Sequence, residues 1–215
     1  MIAELGSKPR DWWVALLLVV AGFSFASAQT RPLQFLVYGG VAYPVAGKSF
    51  SDGWNTGINL GLGVAVPVTD RIATVVSVEA SNMPLDDERY LRANQLRADE
   101  NVAEEGSATV IAGHVAAKIT FSRSRTGEAP YALLGATVAM FSRGDVLISA
   151  QEGSETNSYV VQGESKAAFG LGGGLGFDVS LSHKSFLFFE ARYTVLFTSD
   201  PSVHFVPLRL GIAFR

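Results

Sequence analysis

Ionisable side chains that could pair, bind a ligand or act as acids and bases recur at the polar positions of segments in which polar and apolar residues alternate. They are Glu79, His114, Lys118, Asp178, Glu190, Arg192 and Arg209. Because successive side chains of a β-strand point to opposite faces, this placement predicts that all seven line one interior. An unpaired charge in a closed interior is costly, so we expect these acids and bases to neutralise one another rather than form a binding or catalytic site. Glu190, placed between Arg192 and Arg209, is the expected centre of this lumen charge cluster.

The histidines and glycines give little support for catalysis, metal binding or nucleotide binding. A nucleophilic enzyme needs a nucleophile and a base within hydrogen-bond reach, and a zinc site needs converging ligands. The three histidines are scattered, since His114 lies inside a predicted strand, His183 in a turn and His204 at a strand edge. Residues 169–178 contain a Gly-x-Gly spacing, but no helical pattern follows it. We therefore expect no enzymatic activity, no metal and no cofactor.

The last segment, residues 204–215, indicates how the lumen charge cluster is positioned. Its apolar residues, Val206, Leu208, Leu210, Ile212 and Phe214, alternate with Pro207, Arg209, Gly211, Ala213 and Arg215. This period of two predicts a strand. If the apolar row faces lipid, the arginine and glycine row faces a lumen, which is the arrangement of an outer-membrane barrel. Such a terminal strand must close on the first strand, because lipid cannot satisfy an open sheet edge.

Seven upstream segments repeat this alternation, so we predict an all-β fold, an eight-stranded antiparallel up-and-down transmembrane barrel. The predicted strands are residues 33–44, 55–68, 71–81, 107–122, 130–142, 165–180, 186–198 and 204–215. Two long polar connections, residues 82–106 and 143–164, are predicted to be loops. An even number of strands places both chain ends in the periplasm and these two loops outside the cell.

Residues 1–28 have the features of a secretory signal peptide. Lys8 and Arg10 precede a nearly unbroken apolar run, residues 12–23, and Ala26, Ser27 and Ala28 fit the small-x-small cleavage pattern. The run is shorter than the roughly 20 apolar residues that a spanning helix needs. We therefore expect residues 1–28 to be removed and residues 29–215 to form one barrel domain.

Composition narrows the class of protein further. The chain has no cysteine, so disulfides are excluded, and its net charge of −3 includes no basic block, so nucleic-acid binding is not expected. Its 22 glycines, 14 phenylalanines and positive mean hydropathy favour a lipid-facing barrel, because the mature part has no apolar stretch of spanning-helix length. A soluble lipocalin-like barrel with the apolar rows turned inward is the alternative. Its glycine-rich outer rows would make a poor solvated surface.

The signal peptide, the eight alternating segments and the terminal strand together resemble the small outer-membrane barrels of the OmpA/OmpX type. The resemblance covers the whole mature chain and implies a monomer in the bacterial outer membrane, surrounded by outer-membrane lipid. It also implies that the barrel assembly machinery recognises an assembly signal in the terminal strand, carried by Leu208, Leu210, Ile212 and Phe214. The family most often ends on an aromatic residue, whereas Arg215 follows Phe214 here.

Barrels of this type have diverse roles, so the resemblance is more informative about fold than about function. We expect a structural or surface-interaction protein whose external connections, residues 82–106 and 143–164, meet an unidentified ligand or partner. The alternatives are a narrow pore for small solutes and a lipid-modifying outer-membrane enzyme.

Overall fold

The computed structural model describes residues 32–46, 53–97, 101–104, 106–121, 128–152, 155–198 and 202–215. The predicted signal peptide lies outside these ranges. Within them, no helix is both long enough and apolar enough to cross a membrane.

Eleven strands and one short helix are formed by the described residues. In chain order they are β1 (Gln34–Ala46), β2 (Gly57–Pro67), β3 (Ile72–Pro84), α1 (Asp87–Ala93), β4 (Asn101–Glu104), β5 (Ser107–Thr120), β6 (Glu128–Arg143), β7 (Val146–Glu152), β8 (Glu155–Val161), β9 (Ser165–Ser180), β10 (Ser185–Phe197) and β11 (Val203–Phe214). Eight of these strands form a closed barrel in the order β1-β11-β10-β9-β6-β5-β3-β2, and each neighbouring pair is antiparallel. The predicted eight-stranded barrel is therefore confirmed.

The terminal strand β11 closes the barrel on β1. Phe214 pairs with Phe35 and Ile212 with Val37, while the other side of β11 pairs with β10. Every barrel strand thus has two neighbours, so the barrel presents no open backbone edge to lipid.

Side-chain alternation separates a lipid face from a packed interior. Leu60, Leu62, Leu134 and Leu175 point outward and expose between 62% and 70% of their surface. Asn59, which lies next to Leu60 and points inward, is fully buried. The predicted orientation, apolar outward and polar inward, is therefore confirmed, and the inside-out lipocalin arrangement is wrong.

Glycines make room for aromatic rings inside the barrel. A Cβ atom at Gly176 would overlap the Tyr131 ring, and one at Gly61 would overlap the Tyr38 ring. Strand β9 also runs without interruption through the glycine-rich segment, so this segment has no loop or helix to hold a nucleotide phosphate. The glycines therefore serve the packing of a crowded lumen.

The two long connections are not simple loops, and that prediction is wrong for much of their described part. Residues 82–106 contain the end of β3, α1 and β4, and residues 143–164 contain β7 and β8. The three short strands form a sheet of their own outside the barrel wall, named here the external sheet for that reason, in the order β4-β7-β8. In this sheet Asn101 pairs with Ala150, a long-range contact that local polarity does not reveal.

A small apolar core holds α1 against the external sheet. Its buried members are Leu91 of α1, Ala103 of β4, and Val146 and Ile148 of β7. The Asp86 side chain caps the helix by accepting a hydrogen bond from a first-turn backbone N–H at 3.0 Å. The described parts of these two long connections are therefore folded around a core of their own.

Candidate functional site

An ion-pair network crosses the lumen between β10, β11 and β3. Glu190 and Arg209 pair directly across β10 and β11, and Arg192 lies two residues from Glu190 on the same face. Arg209 Nη1 donates to Glu190 Oε1 at 2.7 Å, and Arg192 Nη2 donates to the same oxygen at 2.9 Å. Arg209 Nη2 also donates to Glu79 Oε2 on β3. Glu190 thus lies between two guanidiniums, and Arg209 lies between two carboxylates.

His114 extends this network toward β5 and β6. Its Nε2 lies 2.9 Å from Glu79 Oε1, which is within ion-pair distance but outside hydrogen-bond geometry. Its Nδ1 lies 2.7 Å from the Thr137 hydroxyl, which makes a hydrogen bond. The side chains of His114 and Glu79 are only 2% and 1% exposed, so their contact lies in the closed interior.

Two tyrosines, which are not members of the lumen charge cluster predicted from the sequence, complete the network. Tyr38 donates its hydroxyl to Glu79 Oε2 at 3.4 Å, and Tyr131 donates to Glu190 Oε2 at 3.2 Å. Their inward position in alternating strands is the only sequence signal for this role. Which carboxylate each hydroxyl reaches depends on the arrangement of strands around the barrel.

Lys118 and Asp178 form a further ion pair in the lumen. Lys118 Nζ donates to the two Asp178 carboxylate oxygens at 2.9 and 2.6 Å. The same ammonium lies 3.8 Å from the centroid of the Tyr131 ring, a favourable cation–π distance. Tyr131 therefore links this pair to the Glu190 network.

The lumen is nearly filled at the level of these contacts. The cavity between Lys118, Glu190 and Arg209 has a volume of about 20 Å³, which holds roughly one water molecule. A wider cavity of about 310 Å³ opens beside the short turn at residues 67–72. With a neutral His114, the charges of the remaining cluster members sum to zero; these members are Glu79, Lys118, Asp178, Glu190, Arg192 and Arg209. The acids and bases that the structure describes in the lumen are therefore arranged to neutralise one another.

A second polar cluster, which was not predicted from the sequence, lies on the outward face of the barrel. Ser202 Oγ lies 2.6 Å from His204 Nε2, and Tyr193 OH lies 2.5 Å from His204 Nδ1. Ser202 and His204 share a face because they are two residues apart. His204 pairs with Val195 of β10, which places Tyr193 on the diagonal and within reach of an aromatic side chain. The Ser-x-His spacing was the only available sequence signal.

The assembly signal proposed from the sequence lies on the same outward face. Leu208, Leu210, Ile212 and Phe214 expose 41% to 48% of their surface. They form one continuous apolar row along β11.

Comparisons with known proteins agree with this architecture. The family model described as "Outer membrane protein beta-barrel domain" matches residues 14–214. The solved Neisserial surface protein A (NspA) is similar, with a TM-score of 0.53 and 14% identity over 85% of this chain and 96% of that one. A major outer membrane protein from Thermus thermophilus has a TM-score of 0.51 and 14% identity over 86% of this chain and 99% of that one. No curated protein matches the sequence. At these identities, the structural likeness concerns the fold alone.

Proposed function

Because the chain belongs to the outer membrane protein beta-barrel domain family and is located in the bacterial outer membrane, we propose that it is a sealed scaffold that presents an interaction surface outside the cell. The observation that carries this proposal is the contrast between the two parts of the molecule. The lumen is filled by paired charges, whereas the two long connections at one end of the barrel form a separate folded sheet.

The filled lumen supports a scaffold rather than a pore. An ion that crosses the barrel would have to pass the level of Glu190 and Arg209, where the cavity is about 20 Å³. Opening this level would separate buried charges from their partners, which is strongly unfavourable when a single partner is lost. The closed state is therefore the stable one.

Strand β8 is the part of the external sheet best suited to meet a partner protein. It pairs with β7 on one side, and no strand in the described part of the chain pairs with its other side. Tyr159 and Val160 on this strand expose 49% and 55% of their surface. An open edge presents backbone donors and acceptors that can take up an extended segment of another protein as an added strand.

The outward apolar row supports the remaining partner assignments. Large apolar side chains cover the outward face of every barrel strand, so we assign outer-membrane lipid as the surroundings of this face. We also propose that the barrel assembly machinery recognises the terminal strand through Leu208, Leu210, Ile212 and Phe214. Closure within one chain leaves no barrel edge to share, which favours a monomer.

Single-cysteine labelling on intact cells tests the surface display. The natural chain has no cysteine, so each variant carries one reactive thiol. We expect a membrane-impermeant maleimide to label Tyr159→Cys in intact cells. It should label the control Lys184→Cys, in the short turn before β10, only after the outer membrane is permeabilised. Labelling of Lys184→Cys alone in intact cells would reverse the assigned orientation.

Conductance in a planar bilayer tests the sealed lumen. The purified barrel is expected to give no stable open channel, because the ion-pair network fills its lumen. A persistent ion current carried by the wild-type protein would contradict the scaffold and support the pore instead.

A further inference from the structure

We propose that Ser202, His204 and Tyr193 form an esterase site on the outward face of the barrel, acting on carboxylic esters of outer-leaflet lipids. This activity goes beyond the scaffold role proposed above, and it departs from the expectation of no enzymatic activity that was drawn from the sequence alone. It rests on three observations, namely the hydrogen-bond order around His204, the height of the cluster on the barrel and an apolar groove on the same outward face.

The hydrogen-bond order is that of an activated serine. A nucleophilic hydroxyl needs a base within reach, and the base needs a third group to orient it. Ser202 Oγ is 2.6 Å from Nε2 of His204, and Tyr193 OH is 2.5 Å from Nδ1. When the histidine proton is on Nδ1, the ring donates to Tyr193 and leaves Nε2 free to accept the proton of Ser202. Ser202 and His204 are then the catalytic residues, and Tyr193 is a positioning residue.

The cluster lies at the height where lipid esters are found. His204 precedes Phe214 by ten residues on β11. At about 3.3 Å per residue and a tilt of about 40°, this separation is about 25 Å along the membrane normal, which equals the height of the lipid-facing band. Phe214 stacks on Phe35 at the opposite rim, as expected for an aromatic girdle. His204 therefore lies at the external boundary between acyl chains and headgroups.

An apolar groove lies on the same outward face, and the lining residues nearest to the cluster are Ala191 on β10 and Leu208 on β11. Its volume is about 570 Å³. Ala191, two residues from Tyr193 and on the same face, lies between Leu175 and Leu208 on the neighbouring strands. The small alanine between larger side chains forms the depression, and Phe189 continues its lining. An acyl chain in this groove would extend from an ester held at His204.

The reaction follows from the positions of these groups. Ser202 Oγ bonds to the carbonyl carbon of the ester while its proton moves to Nε2 of His204. The ester C–O bond then breaks, and the departing lipid alkoxide takes the proton from Nε2. Water attacks the acyl-serine in the same way, which releases the fatty acid and restores the Ser202 hydroxyl.

Fatty-acid release from vesicles tests the proposal. The purified full-length barrel is reconstituted either in phosphatidylethanolamine vesicles or in the same vesicles containing lipid A, and released fatty acids are measured by mass spectrometry. Release in the first arm assigns a phospholipid ester, whereas release only in the second assigns an acyl ester of lipid A. Absence of release in both arms overturns the proposal.

Variants connect the activity to the cluster. Ser202→Ala and His204→Asn should each lower the rate by about 100-fold or more. Tyr193→Phe keeps the ring but loses the hydroxyl, so we expect a lower kcat, an unchanged KM and a shifted pH profile. The matched controls Ser165→Ala, at the external rim, and His183→Asn, in a short turn, should keep the wild-type rate. Full activity of Ser202→Ala would overturn the assignment.

Covalent labelling keeps the test decisive if a variant does not fold. A fluorophosphonate probe is added to the wild-type barrel in vesicles, and the modified peptide is identified after digestion. Modification of Ser202 supports the site. An unmodified Ser202, or modification at another serine alone, overturns it.

Discussion

Replacing Glu190 with glutamine perturbs the lumen network at its centre while keeping the shape of the side chain. Glu190 Oε1 accepts hydrogen bonds from Arg192 at 2.9 Å and from Arg209 at 2.7 Å. In the variant, Arg209 keeps its contact with Glu79. Arg192 loses its direct ion-pair partner, because no other carboxylate within the described ranges lies within ion-pair distance of it. The expected damage is therefore concentrated on Arg192.

The buried position of the pair sets the expected size of the effect. The side chains of Arg192 and Glu190 are 5% and 7% exposed. Removing one partner of a buried pair typically costs roughly 3–5 kcal/mol, because the other charge stays in the interior. We expect Glu190→Gln to lower the free energy of unfolding by about this amount.

Double variants then test the coupling. Glu190→Gln with Arg192→Met removes both partners and leaves the Glu79–Arg209 pair intact, so it should recover part of the loss. Glu190→Gln with Arg209→Met restores the net charge but takes away the guanidinium of Glu79, so it should recover less. The difference between the two double variants reports which arginine depends on Glu190.

The assay is unfolding by urea of the single and double variants in one detergent. Glu88→Gln serves as an exposed control, because its partner Arg92 on α1 is 71% exposed, and exposed pairs are worth at most about 1 kcal/mol. Strictly additive losses for Glu190→Gln and Arg192→Met would refute the coupling and, with it, the role of the network as a plug.

Three further predictions concern the barrel wall. Leu210→Arg places a charge on the lipid face near the middle of the membrane, so it should lower the free energy of unfolding in lipid by about 2–4 kcal/mol. A variant as stable as the wild type would show that Leu210 does not face lipid. Gly176→Ala should cost about 1–3 kcal/mol by crowding the Tyr131 ring, and urea unfolding should show partial rescue by Tyr131→Ala. The wild-type protein should migrate differently in gel electrophoresis before and after boiling, since the closed barrel resists detergent; equal mobility would argue against closure.

The alternating pattern of the sequence was sufficient to predict the barrel and the side on which each strand residue lies. Alternation is a local property, because successive side chains of a strand point to opposite faces of the sheet whatever the rest of the chain does. Arg209 could therefore be placed inside and Leu210 outside from their positions in one strand. The same reasoning failed for residues 82–106 and 143–164, because β4 and β7 pair across a long stretch of chain.

Only the tertiary structure decided which inward residues meet. The alternation of side chains along each strand predicts that Glu79, His114 and Glu190 all point into the lumen. Two such side chains touch only if they also lie at the same height along the barrel axis, and this height depends on the stagger of the strands around the closed barrel. This stagger brings Arg209 between two carboxylates from β3 and β10. On the outer face, the register of β10 against β11 brings Tyr193 to His204. Register is set by closure of the whole sheet, so no single segment of sequence contains it.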